Sequence, residues 1–445
     1  MFIARDGEKR DGCPGLILWT SVDPTRCRSA DTNDQRQSGL NSILTQATLM
    51  NPYLPPEILD YIVDLLHGEP EALKECCLVS TSWVSRTRKH LFAHIRFRSA
   101  DDLRSWKKTF QDVANSPARH THTLSVGRPR HVVAADAEEG GWIQAFSGVA
   151  SLDVDSNHFL EASEVSLTPF HRFSPTLKSL HIRPIRLPYP QLFDLICSFP
   201  LLEDLNLKGG DGLFDGDDYP HGSQTVAPST SPPFTGSLSL NIYGGLGEIL
   251  RQLLDLPNGL HFRTLTFLWD REKYLRWIRE LVVKCSHTLE SLDVAYIYRC
   301  TSIRICDHTN NLIVFLVAPA SASFSLSKAT KLRDAAFRPD SQNIEWVIMA
   351  LETITPEHQE LRQISIYVPY HLTLYNVGAD IRQSLGEKIS RRWSDLDRLL
   401  VQFWESRSIR PRVGCVRVGE EGQNTEHLIG CLLPETTKRG IVDPV

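Results

Sequence analysis

The chain has 445 residues, with 48 Lys plus Arg against 53 Asp plus Glu, a formal charge of −5, and 41% apolar residues. That length supports roughly two to four folded units with a core that needs no staples, and the composition excludes wholesale disorder or a collagen-like chain. A slightly acidic chain also lacks the basic footprint of a duplex nucleic-acid binder, so no nucleic acid is expected as a partner.

No membrane partner is expected either. The longest apolar run, residues 312–324, is interrupted by Pro319 and is too short to span a bilayer. The run at 15–19 is too short for a secretory h-region. The 10 cysteines are scattered, without CxxC pairs or the density of a disulfide scaffold, and no glycosylation sequon occurs. Together these predict a reduced compartment, the cytoplasm or the nucleus.

Residues 1–50 are polar, mixed in charge and without hydrophobic period, which predicts a disordered N-terminal extension. Order is expected to begin at Asn51. Pro56 and Glu57 suit the first turn of a helix, and Ile58, Leu59, Ile62, Val63, Leu65 and Leu66 follow at helical spacing. The stretch His67-Gly68-Glu69-Pro70 stops that helix. A second helix runs from about Glu71, with Leu73, Cys76, Cys77 and Leu78 inward, and a third begins after Ser80. His94 to Phe97 alternates like a short strand. On periodicity alone Trp83 and the Cys76-Cys77 pair read as core. Three short helices in 51–98 make a very small core, which tends to lean on a partner or neighbour. Residues 99–120 read as a linker.

From about residue 121 a phrase repeats: hydrophobic-x-x-hydrophobic-x-hydrophobic. Copies begin at Val149, Leu177, Leu202, Phe262, Leu289 and Leu361, with weaker ones near Ser237 and Leu332. The middle hydrophobic recurs after 28 residues (152 to 180), 25 (180 to 205) and 27 (265 to 292). Helical stretches precede several copies and end at a breaker, as at Pro200 and Pro257. Near the end, Ser394-Asp-Leu-Asp397 reads as a capping box opening a helix, followed by a last strand over 411–418. Strand, turn, helix and breaker at this period is the pattern of a leucine-rich-repeat solenoid. The Asn or Cys of a regular repeat is absent, since Ile185, Gly210, Ile297 and Pro369 stand in those places. The expected architecture is therefore an irregular α/β solenoid over 121–418, with a Gly/Pro/Ser/Asp insertion at 209–236 and a tail from 419 to 445.

Little in the chain argues for catalysis. Asp211, Asp215, Asp217 and Asp218 lack the order of a calcium loop, and Cys300, Cys306 and His308 lack zinc-site spacing. His120-Thr-His122 offers two imidazoles without a third ligand, and Gly244 to Gly247 does not fit a phosphate loop. No metal, cofactor or catalytic residue is assigned.

Leu54-Pro55-Pro56-Glu57-Ile58-Leu59 followed by Leu78-Val79-Ser80-Thr81-Ser82-Trp83 resembles the F-box motif, over residues 51–98. The chain as a whole is similar to F-box proteins with degenerate leucine-rich repeats, of the kind found in fungi, and 396–408 is the stretch of the tail most like that group. The resemblance implies the substrate receptor of an SCF-type, cullin-RING ubiquitin ligase. It implies docking to the adaptor subunit, and through it to cullin, with Leu54, Pro55, Ile58, Leu59, Leu78, Val79 and Trp83 as contacting or motif-supporting positions. A target protein of unknown identity would lie on the repeats. The alternatives are an adaptor-bound scaffold outside a ligase and an unrelated enzyme.

Overall fold

The structure is a computed structural model that describes residues 55–113, 115–138, 140–155, 167–185, 189–209, 232–241, 246–269, 274–296, 325–339, 344–368, 381–407, 409–415, 423–441 and 443–444. The expectations for residues 1–50, for Leu54, for the acidic stretch 211–218 and for the Cys300–His308 cluster lie outside them. The chain divides into two compact units, residues 1–125 with 130–148, and residues 126–129 with 149–445.

The first unit opens with three short helices, α1 (Pro56–Leu65), α2 (Pro70–Val79) and α3 (Thr81–Leu91), then strand β1 (His94–Phe97). Proline stands at the first position of both α1 and α2, where its missing N–H is no loss. Ser80 caps α3 by accepting from the Ser82 N–H at 3.3 Å. The stretch expected as a linker carries α4 (Ala100–Thr109), opened by a capping box in which Ser99 and Asp102 satisfy each other's backbone N–H groups. Its inward residues Leu103 and Trp106 join Phe97 and Phe146 in an aromatic core, with Trp106 4.6 Å from the Phe110 ring and 5.6 Å from that of Phe146. The unit also holds most of strand β2 (Thr123–Gly127) and of helix α5 (Pro129–Glu138).

The second unit is a parallel sheet wound in chain order. Its strands are β3 (Ser151–Asp155), β4 (Ser179–Ile185), β5 (Asp204–Gly209), β6 (Ser237–Asn241), β7 (Thr264–Trp269), β8 (Ser291–Tyr296), β9 (Asp334–Arg338), β10 (Gln363–Val368), β11 (Arg410–Cys415) and β12 (Asp443–Pro444). Helices α6 (Tyr189–Cys197), α7 (Leu246–Leu254), α8 (Leu275–Cys285), α9 (Glu345–Glu352) and α10 (Ile381–Arg407) lie in the connections. The register sets the repeat hydrophobics in two rows. One runs Leu152, Leu180, Leu205, Leu238, Leu265, Leu292, Ala335, Ile364; the other runs Val154, Ile182, Leu207, Leu240, Phe267, Val294, Phe337, Ile366. All sixteen are buried, so each strand covers its inner face with its neighbours. This is a solenoid-like repeat fold of the α/β class.

A backbone stitch joins successive repeats. At six strand entrances one carbonyl accepts two N–H groups of the next repeat: Ala150 from Lys178 and Ser179, Lys178 from Glu203 and Asp204, Gly236 from Arg263 and Thr264, Arg263 from Glu290 and Ser291, Glu290 from Arg333 and Asp334, Arg333 from Arg362 and Gln363. Threonine hydroxyls add to it, from Thr176 to Val149 O at 2.7 Å and from Thr288 to Phe262 O at 3.1 Å. Within the first unit Ala93 O takes the N–H groups of His122 and Thr123 in the same way, so the repeat grammar is already present before residue 121.

One sequence expectation fails in an instructive way. Ser394 does not open a helix; it sits inside α10 and its hydroxyl donates back to Ser390 O at 3.1 Å. Asp397 is buried and caps a different helix, α12 (Pro434–Lys438), accepting from the N–H groups of Glu435 at 2.8 Å and Thr436 at 2.9 Å and from the Thr436 hydroxyl. A carboxylate at a helix N-terminus looks the same in sequence whichever helix it serves. The stretch expected as a tail thus carries α11 (Gln423–Leu432), α12 and β12, with Leu428, Ile429, Leu432 and Leu433 buried. At the other end of α10, Arg407 donates to Ile354 O and Thr355 O, both at 2.9 Å, just past the end of α9.

Candidate docking surface on the first three helices

The three N-terminal helices keep few side chains fully buried: Val63 in α1, Leu73 and Cys76 in α2, and Thr87 in α3. Helices α1 and α2 each pack against α3. Polar contacts hold the arrangement. Arg86 grips Asp64 with both arms, Nε lying 2.7 Å from Oδ1, and His90 Nε2 lies 2.7 Å from the same oxygen. The Thr87 hydroxyl donates to Trp83 O at 2.8 Å and stands 2.8 Å from Cys77 Sγ.

The Arg86 hydrogen bond, followed by that of His90, holds the Asp64 carboxyl well below the usual carboxylate range. Because the folded state lowers this pKa, its stabilisation is complete above the unfolded value of about 4 and is lost as pH falls below it. Unfolding followed from about pH 6 down to about pH 3 is therefore expected to show a decline that Asp64→Asn flattens. An equal slope in both proteins would contradict the pairing.

The apolar residues of α1 behave unusually. Ile58, Tyr61, Ile62 and Leu65 fall at i, i+3, i+4 and i+7, the spacing of a helix face that is ordinarily covered, yet all four are exposed. Leu78 and Val79 at the end of α2 are 79% and 70% exposed. Of the ten large apolar side chains exposed among the described residues, six lie between 58 and 79. A surplus concentrated in so short a segment marks an interaction surface rather than scattered surface residues.

The residues carried over from the sequence motif divide among several positions. Leu54 lies outside the described residues. Pro55 is exposed, and its carbonyl accepts from the N–H groups of Ile58 at 2.9 Å and Leu59 at 3.2 Å, fixing the first turn of α1. Ile58 is exposed and Leu59 half-buried, while Leu78 and Val79 stand on α2. Trp83 is half-buried in the first turn of α3. Cys76 is buried and Cys77 half-buried, whereas Leu78, expected inward from its helical spacing, is turned out at the end of α2. Tyr61, Ile62 and Leu65 complete the exposed stripe but were not among the carried-over positions. Their common spacing was the signal, and only the structure tells which side of α1 faces outward.

The second unit offers a different surface, the sheet face opposite the buried rows. Two ion pairs there share one geometry, from the third residue of a strand to the fifth of the next. Arg183 Nη2 lies 2.6 Å from Asp153 Oδ2, and Arg338 Nη2 lies 2.8 Å from Asp293 Oδ2. Burial raises the Asp293 pKa, and Arg338 counters it. The Arg338 guanidinium also stands 4.9 Å from the centre of the Tyr367 ring. Between the pairs the face presents Asn206, Ser239, Asn241 and Thr266 in register. Elsewhere, burial pushes the Cys285 thiol up to about 12 and that of Cys197 up to about 11, which makes both poor nucleophiles. Among the described residues no three metal-ligating side chains gather, and no helix is long and apolar enough to cross a membrane.

No family model matches the chain, and no curated protein matches it. Among solved structures it is similar to a chain in the crystal structure of the Rad7 and Elc1 complex in yeast, at 12% identity and a TM-score of 0.36, over 87% of this chain and 96% of that one. It is also similar to a protein from Bacteroides fragilis, at 14% identity and a TM-score of 0.27, over 62% of this chain and 69% of that one.

Proposed function

We propose that this protein is the substrate-recognition subunit of an SCF-type, cullin-RING ubiquitin ligase. Residues 51–98 act as an F-box that docks to the adaptor, and the repeats over 121–418 present a target protein. The observation that carries the reading is the outward stripe Ile58, Tyr61, Ile62, Leu65 together with exposed Leu78 and Val79. These lie inside the segment whose sequence resembles the F-box motif. A helix trio with so small a core gains stability by burying that surface on a partner.

In this reading the protein performs no covalent chemistry and holds no cofactor. Its contribution is proximity, raising the local concentration of a target lysine near the loaded conjugating enzyme. The polar sheet face with its paired Asp–Arg contacts supplies target contacts, and the protein works in the cytoplasm or the nucleus.

The test is a pull-down of the full chain against a purified adaptor–cullin complex. Recovery of both subunits supports the ligase receptor. Recovery of adaptor without cullin favours a scaffold outside a ligase. Failure of the folded protein to bind either one sinks the F-box assignment.

A further inference from the structure

A second surface on the first unit is basic rather than apolar. The short 3-10 turn Pro117–His120 packs against α3, with Pro117 and Ala118 buried beneath it. Its backbone is fixed: Ser116 Oγ accepts from Ala118 N–H at 3.2 Å, and the His122 N–H donates to Ala93 O at 2.8 Å. A Cβ added at Gly148 would stand 3.1 Å from Arg119 O, so the segment also lies tight against the chain beneath it. With the apolar residues turned in, Arg119 and His122 are exposed and His120 half-buried. Arg88 and Lys89, in the last turn of α3, are exposed too.

These five groups come from two separate segments. The negative end of the α3 dipole accounts for Arg88 and Lys89, but it does not reach to an explanation of Arg119, His120 and His122. Among the described residues no carboxylate forms an ion pair with Arg88, Lys89 or Arg119, and the Arg119 Nε–H points to His120 Nε2 at 3.5 Å, cation against imidazole. Behind burial, the charges acting most strongly on His120 are all cationic: Arg119 and His122 on its own segment, Lys89 and Arg88 on α3, and together they lower its pKa. On a chain with net charge −5, a concentrated basic cluster on a rigid backbone is a local exception.

We infer that Arg88, Lys89, Arg119, His120 and His122 form a docking surface for an acidic protein segment, a short run of Asp and Glu carboxylates. Charge complementarity selects an anionic occupant. Among the described residues the patch brings no exposed Phe, Tyr or Trp on which bases could stack, and the net negative chain opposes a long polyanion, so the occupant is a peptide rather than nucleic acid. An occupant bearing carboxylates also favours protonated His120, so binding tightens as pH falls. The surface shares no residue with the apolar stripe, and the inference stands independently of adaptor docking.

The test uses the full chain and a fluorescein-labelled octaglutamate peptide, read by anisotropy at low ionic strength. The peptide is expected to bind, more tightly at about pH 6 than at about pH 8, and less tightly as salt rises. Arg88→Gln with Arg119→Gln is expected to weaken binding at least about tenfold, with unchanged circular dichroism. Lys328→Gln with Lys331→Gln, in the second unit, leaves it unaltered. His120→Gln combined with His122→Gln removes the pH dependence and covers the case in which the double arginine variant fails to fold. Leu78→Asp with Val79→Asp keeps peptide binding. The inference is overturned by absence of octaglutamate binding, by equal weakening in the lysine control, by a protein carrying both histidine substitutions with the wild-type pH profile, or by tighter binding of octathymidylate.

Discussion

Leu78→Asp combined with Val79→Asp is expected to abolish recovery of the adaptor–cullin complex while leaving the melting temperature of the protein almost unchanged. Both side chains are largely exposed at the end of α2, so few internal contacts are lost. Exposed substitutions of this kind usually change stability by about 0.5 kcal/mol or less. On the proposed interface the same two positions become buried, and two carboxylates placed there must be desolvated without partners. A hot-spot loss of at least about 2 kcal/mol corresponds to roughly a 30-fold weaker complex. Leu65→Ala, which only truncates one member of the α1 stripe, is expected to give a smaller loss in the same direction. Pull-down yield and a thermal melt on the same preparations check both halves. Full recovery of the complex by a folded double variant would remove Leu78 and Val79 from the interface.

The second large effect lies in the solenoid. Phe267→Ala is expected to destabilise the second unit by about 4 kcal/mol. Phe267 is fully buried and its register partners are Leu240 on β6 and Val294 on β8, so the deleted ring leaves a void between adjacent repeats. In a fold where each repeat is covered only by its neighbours, a defect in a middle strand weakens the coupling of the two flanks. Phe267→Leu, which retains most of the volume, is expected to cost about 1 kcal/mol. Urea unfolding of the three proteins decides it. A loss below about 1 kcal/mol for the alanine variant would contradict the packed interior described here.

The repeat copies show how far local pattern reaches. Hydrophobic-x-x-hydrophobic-x-hydrophobic at Leu177, Leu202, Phe262 and Leu289 became β4, β5, β7 and β8, with the alternating residues inward as written. The helices before Pro200 and Pro257 followed as α6 and α7 because proline cannot continue the ladder. Ser99 and Asp102 form a capping box, with Leu103 and Trp106 at helical spacing behind them, so the stretch expected as a linker opens with a helix. The exposed apolar residues of α1 and α2 lie within the segment that runs from the Leu54–Leu59 phrase to the Leu78–Trp83 phrase.

What the chain determined by itself is whatever depends on short-range periodicity: the strands, the helix stops, the repeat spacing and the small core of the first helices. The tertiary structure decided which side of each element is covered, because burial depends on partners distant in sequence. Ile58 and Val63 belong to one apolar run, and only packing on α3 leaves the first exposed and the second enclosed. Asp397 is the same kind of case, a carboxylate written into a local capping pattern and claimed by a helix 38 residues away. The basic cluster around His120 likewise exists only because the turn at 117–120 packs against α3, joining charges that lie about thirty positions apart in the chain.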